Sequence, residues 1–190
     1  MKEFEKRGPL GSEQLTKLAD FLKGNATLIK EESEKVVFFD TKKFPAIGDF
    51  KNGSARISLK CDNKGNFIRI KEGNPSNEMR SEYSVELRRN DIENLVYILS
   101  RLGLTNGFYR PTERTDFKYK NLIITIKTNC VMGDHFEIEL IDSTAHFEDE
   151  IKELLNNVPL TFWTTEEYKS KVSDLMITNP AINILGAKIF

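Results

Sequence analysis

Apolar and ionised residues alternate along much of this chain, and that alternation limits the folds open to it more than any other feature. Successive side chains of a β-strand point to opposite faces, so each such segment has one face for a core and one lined with charge. Period-two spacing marks strands at about 2–7, 35–41, 55–61, 66–72, 80–87, 108–118, 121–128 and 135–141. The apolar face carries Phe4, Ile57, Leu59, Ile68, Ile70, Tyr83, Val85, Ile124, Ile126, Phe136 and Ile138. The other face carries Glu3, Glu5, Arg7, Arg56, Ser58, Lys60, Arg69, Lys71, Arg80, Glu82, Ser84 and Glu86, then Arg110, Thr112, Arg114, Thr125, Lys127, Glu137 and Glu139.

Between these segments the period changes to that of a helix. Leu15, Leu18, Ala19 and Leu22 share a face behind Ser12, a good N-cap. Ile92, Leu95, Val96, Leu99 and Leu102 follow Asn90, with Glu93 spaced for a capping box. Phe147, Ile151, Leu154 and Leu155 form a third stripe, and Thr164 with Glu167 caps a short fourth helix around Tyr168. Asn63-Lys64-Gly65-Asn66 and Lys120-Asn121 are turns that join strands into hairpins. Short strands with few long crossovers predict an α+β fold, an antiparallel sheet or barrel with helices packed outside.

The 190 residues suffice for one domain, 1–190, and no linker divides them. The chain has 28 basic and 29 acidic residues, so bulk charge gives no general affinity for nucleic acid or anionic membranes. Cys61 and Cys130 make neither a disulfide framework nor a zinc site. Met1-Lys2-Glu3-Phe4-Glu5 is too charged for a signal peptide and no run is long enough to span a membrane, so the expected setting is cytoplasmic.

A charged strand face is often just the wet side of an open sheet. Two features point further. Glu-x-Glu occurs in both the first and the last strand, and four carboxylates brought together favour a hard cation such as Mg²⁺. Arg and Lys dominate the middle strands, and they match phosphate oxygens.

Taken in order, these segments resemble the CYTH, or triphosphate tunnel metalloenzyme, superfamily. Glu3-Phe4-Glu5-Lys6-Arg7 is similar to its opening Glu-x-Glu-x-Lys, with Arg in the last place. Phe38-Phe39-Asp40-Thr41 resembles its Tyr-Phe-Asp-Thr strand, and Ile57-Ser58-Leu59-Lys60 with Arg69-Ile70-Lys71 its two basic strands. Glu113-Arg114 resembles its sixth-strand basic pattern, and Gly133-Asp134-His135-Phe136-Glu137-Ile138-Glu139 its closing Gly-x-x-x-Glu-Ile-Glu. Tyr168 matches a late tyrosine, and the likeness spans about residues 2–175. Two positions depart: Ser58 replaces a usual arginine, with Arg56 on the same face, and Lys127 stands where an aspartate is common. Asp116 and Asp134 are the acids available to compensate.

The resemblance implies a closed eight-stranded antiparallel β-barrel with helices outside and a charged tunnel. It implies Mg²⁺ or Mn²⁺ on Glu3, Glu5, Glu137 and Glu139. It also implies a triphosphate-containing small molecule clamped by Arg7, Arg56, Lys60, Arg69, Lys71, Arg80, Arg110 and Arg114, with Glu82, Glu86 and Lys127 as catalytic candidates. Hydrolysis of inorganic, nucleoside or thiamine triphosphate is the expected activity. The alternatives are cyclisation of ATP to cyclic AMP and pyrophosphate, and a module that binds a polyphosphate nucleotide or an RNA 5′-triphosphate end without turnover. His135 and His146 read as structural, and Trp163 with the apolar tail 182–190 as an exterior or homodimer contact.

Overall fold

The computed structural model describes residues 2–39, 55–72, 79–141, 146–178 and 182–183. In chain order they form β1 (Lys2–Pro9), α1 (Ser12–Asn25), β2 (Thr27–Phe39), β3 (Ala55–Asp62), β4 (Gly65–Glu72), β5 (Met79–Leu87) and α2 (Asp91–Arg101). Then come β6 (Asn106–Tyr119), β7 (Leu122–Thr128), β8 (His135–Leu140), α3 (Phe147–Asn157), α4 (Thr165–Thr178) and β9 (Ile182–Asn183). No described helix is long and apolar enough to cross a membrane.

All strands join one antiparallel sheet in the order β2-β3-β4-β5-β1-β8-β7-β6-β9, and β2 also pairs β6 from Thr27↔Lys118 to Phe39↔Gly107. The β3–β4 hairpin turns at Asn63-Lys64, where Asp62 accepts from the Lys64 N–H at 2.8 Å and Gly65 follows with φ +145°. Two-residue connections of this kind favour antiparallel neighbours. Lys120, at φ +52°, turns β6 into β7.

The expected closed eight-stranded barrel is corrected by the register of β1. Lys2–Phe4 pair with β5, whereas Glu5–Pro9 pair with β8, so no residue of β1 bridges the two neighbours at once. Beyond Phe4 the other edge of β1 meets the chain between α3 and α4: the Trp163 N–H donates to the Arg7 carbonyl at 2.8 Å. The result is a curled nine-stranded sheet whose seam is β1, paired with β5 at one end and with β8 at the other. A strand edge needs hydrogen-bond partners, and the Trp163 N–H supplies one beyond Phe4. Tyr83 and Val85, expected in the core, stand on the part of β5 that runs past its pairing with β1, at 59% and 62% exposure.

The apolar face of the remaining strands turns outward, under the helices. One core packs Leu18 and Leu22 of α1 and Phe147, Ile151 and Leu154 of α3 on Phe117, Ile124, Ile126, Phe136 and Ile138. A second packs Ile92, Val96 and Leu99 of α2 on Val37, Phe39, Ile57 and Leu59. Burying each such side chain stabilises the fold by roughly 1.5–3 kcal/mol. The helix ends differ in part from expectation. Gly11 rather than Ser12 caps α1, its N–H donating to Gln14 Oε1 at 3.2 Å. Asn90 makes no side-chain cap to α2. The Thr164–Glu167 box forms, with bonds of 2.7 and 3.2 Å.

Gly8 is the closest approach in this arrangement. A Cβ there would lie 2.7 Å from the Phe136 ring and would collide with the Thr161 carbonyl. Gly8→Ala should therefore cost ~2 kcal/mol or more, read as a lower urea midpoint at unchanged m.

Candidate functional site in the charged interior

The concave face of the sheet holds ionised groups that are largely shut off from water. Glu32, Glu34, Lys60, Asp116, Lys127 and His135 are all buried, which rules out the simple wet face of an open sheet. On β2 the inward residues are Lys30, Glu32 and Glu34, in step with Val36 and Phe38. Sequence reading missed the three polar ones because it began the strand at residue 35. Their even spacing, continued through Val36 and Phe38, is the signal that marks them.

Ion pairs tie neighbouring strands together. Lys60 Nζ lies 2.7 Å from Glu34, 2.6 Å from Asp62 and 3.4 Å from Glu32. Arg114 grips Asp116 with two bonds of 2.7 and 2.9 Å and reaches Glu34 at 3.0 Å. The Thr125 hydroxyl donates to Asp116 at 2.8 Å, and Lys30 pairs with Glu32 and, at 3.6 Å, with Asp116. Glu137 takes Lys127 at 2.5 Å and Arg7 at 3.1 Å, and Arg7 also pairs with Glu5. The Arg7 guanidinium sits 4.7 Å over the Tyr168 ring.

The ionisation of these groups follows from burial set against partners. Burial would raise the Glu34 and Glu137 carboxyls. Lys127 acts first against this on both, joined by Arg114 and Lys60 at Glu34 and by Arg7 at Glu137, and both are held well below the usual carboxylate range. Burial lowers Lys127 in turn, with Glu137 opposing and Arg110 and Arg114 adding to the lowering. Burial, with Lys127 nearby, pushes His135 down to about 4. Its Nδ1 lies 2.9 Å from the Gly133 carbonyl and its ring 5.5 Å from that of Trp163.

The expected site residues are brought together only in part. Arg7, Lys60, Arg114, Lys127 and Glu137 converge in the interior with Glu5, and Asp116 points in beside them. Arg69 and Lys71 pair separately with Glu82, at 3.5 and 2.6 Å. Glu86 lies exposed on the part of β5 beyond its pairing with β1. Asp134 serves the β7–β8 turn, accepting from the Asn129 N–H at 3.1 Å. The side chains of Glu3, Arg56 and Arg80, with residues 40–41 and the tail 184–190, lie outside the described residues.

Arg110 differs from the other interior cations. Among the described residues it has no carboxylate partner; its Nε is buried without a hydrogen bond, and its guanidinium lies 5.1 Å over Phe38, which stacks on Phe108. For a divalent cation, no three acidic, histidine or cysteine groups among the described residues form a cage. Glu5 and Glu139 are direct partners across β1 and β8, however. Like charges so placed repel, and Mg²⁺ is commonly bound through one or two carboxylates plus substrate phosphates, so this pair fits such an ion.

This fold, a curled antiparallel sheet with helices outside and a charged interior, is similar to that of several solved structures. A Pyrococcus horikoshii protein superposes with TM-score 0.64 at 19% identity, covering 90% of this chain and 98% of its own. An adenylyl cyclase homologue from Hippeastrum with a dominant triphosphatase activity gives 0.58 at 16%, covering 91% and 95%. A chain of the Schizosaccharomyces pombe Mediator head module gives 0.52 at 11%, covering 95% and 98%. At these identities the likeness is one of fold. No protein-family model and no curated protein matches the sequence.

His135 makes stability depend on pH. It binds a proton in the unfolded chain near its ordinary value of 6.5, and in the folded protein only at about 4. The unfolded state therefore holds more protons between these values, and stability falls as pH falls through that window. From pH 7 to 5 the loss from this group should be about 2 kcal/mol. Denaturant titrations at several pH values should show that His135→Gln flattens the slope there.

Proposed function

We propose that the chain is a divalent-cation-dependent triphosphatase that takes the phosphate chain of a small molecule into its curled interior. The observation that carries this reading is Arg110, a half-buried cation without a carboxylate partner among the described residues, whose Nε is buried without a hydrogen bond and whose charge acts on Lys127. A guanidinium with an unused buried N–H is costly to keep unless an anion completes its contacts, and phosphate oxygens match it. Lys127 and Arg7, both held by Glu137, keep their charges fixed toward the same space. A divalent ion at Glu5 and Glu139 would neutralise charge on the phosphate oxygens. The protein's own share is then positioning and electrostatic stabilisation by fixed cations.

A second reading, binding without turnover, is favoured by Lys127. It stands where the resembling family often has an acid, and it engages Glu137, one of the expected metal ligands. The likeness to a Mediator head chain supports keeping this reading, since the same fold occurs there.

The test is ³¹P NMR of the protein with tripolyphosphate, ATP, thiamine triphosphate and a 5′-triphosphorylated RNA, each with Mg²⁺ or Mn²⁺. Orthophosphate release is the expected outcome. Pyrophosphate with cyclic AMP would make the protein a cyclase, and cation-dependent binding without product would leave the binding module. Arg110→Ala should weaken tripolyphosphate binding by about tenfold or more with the fold intact. An unchanged affinity would remove Arg110 from the site.

A further inference from the structure

Glu34 is 2% exposed, and its carboxylate bridges two cations from different strands: Lys60 Nζ at 2.7 Å and Arg114 Nη1 at 3.0 Å. An anionic oxygen held between an ammonium and a guanidinium at these distances makes the same charge-assisted contacts that a phosphoryl oxygen would make. The charge around it is unevenly divided. Lys60 faces three carboxylates, Glu32, Glu34 and Asp62, and Arg114 faces Glu34 and Asp116. Arg110 faces none among the described residues. On β2 the residue across from Arg110 is Val36, and Glu34 is the next inward position along the strand.

We infer that Glu34 occupies the place of a phosphoryl group between Lys60 and Arg114, and thereby sets how long a phosphate chain the interior accepts. The inference rests on the phosphate-binding reading above. An anion seated on Arg110 and Lys127 meets the fixed charge of Glu34 at its next step inward. To reach Lys60, the chain must displace a buried carboxylate from both of its cations, and an anion left without partners in the interior is strongly unfavourable. Lys60, expected from sequence to clamp substrate, is instead closed off by the protein's own acids. Glu34→Gln keeps the shape and an acceptor oxygen but removes the charge, releasing one contact on Lys60, which keeps Glu32 and Asp62, and one on Arg114, which keeps Asp116, for one more phosphoryl group.

The experiment is calorimetric titration of wild type and Glu34→Gln with orthophosphate, pyrophosphate, tripolyphosphate and tetrapolyphosphate at fixed Mg²⁺. Wild-type affinity should stop rising after the first phosphoryl units. In Glu34→Gln it should keep rising, with tetrapolyphosphate bound about tenfold tighter than by wild type and orthophosphate within about threefold. Parallel length profiles in the two proteins would overturn the inference while leaving phosphate binding in place. Failure of wild type to bind any of the four would overturn the phosphate-binding reading and this inference with it. If Glu34→Gln does not fold, Glu34→Asp, which withdraws the charge by one methylene, serves instead. A steeper length profile than wild type supports the inference, and an unchanged one overturns it.

Discussion

A chain of buried ion pairs runs round the inside of the sheet, and the rest of the structure is arranged to keep it paired. Starting at Lys60 on β3, it passes through Glu34 on β2 to Arg114 and Asp116 on β6 and Thr125 on β7. On the far side, Lys127 of β7 and Arg7 of β1 meet at Glu137 of β8. Charges in such a place hold only with partners at hand; removing one partner of a buried pair costs about 3–5 kcal/mol. The links follow the order of the strands. Glu82 of β5 pairs across to Lys71 and Arg69 of β4.

With charge on the concave face, the hydrophobic contribution comes from outside. The two cores lie on different parts of the sheet, one under α1 and α3, one under α2. A small sheet with a single ordinary core would have filled its inner face with Leu and Ile. Here the inner face is left for polar groups, and stability rests on two thinner layers. That division leaves the interior to polar groups, and the apolar side chains that do meet solvent stand outside it, among them Leu28 and Ile29 of β2, Tyr83 and Val85 of β5, and Tyr97 and Ile98 of α2.

The same fold is found in a triphosphatase and in a Mediator head chain, so the architecture alone does not select an activity. The interior of this chain is close to balanced in charge. Most cations are matched by carboxylates of the protein itself, and Arg110 is the described exception. An interior lined this way does not attract anions by bulk charge, and any uncompensated charge in it is local, bounded by fixed acids.

Much of this was open to a reader of the sequence. Alternation placed Ile57, Leu59, Ile124, Ile126, Phe136 and Ile138 in the cores and Arg7, Lys60, Arg114, Lys127 and Glu137 inside, because side-chain direction in a strand is a local property. Helical spacing likewise located all four helices. The inward run Lys30, Glu32 and Glu34 escaped notice because the residues alternating with it, Glu31, Ser33 and Lys35, are polar too and show no period. Only the tertiary structure decided that β1 divides its pairing, that the Trp163 N–H meets the edge of β1 at Arg7, and which acid faces which base. Those outcomes depend on register between segments far apart in the chain, where a one-residue slip exchanges every partner, and nothing within a single segment records it.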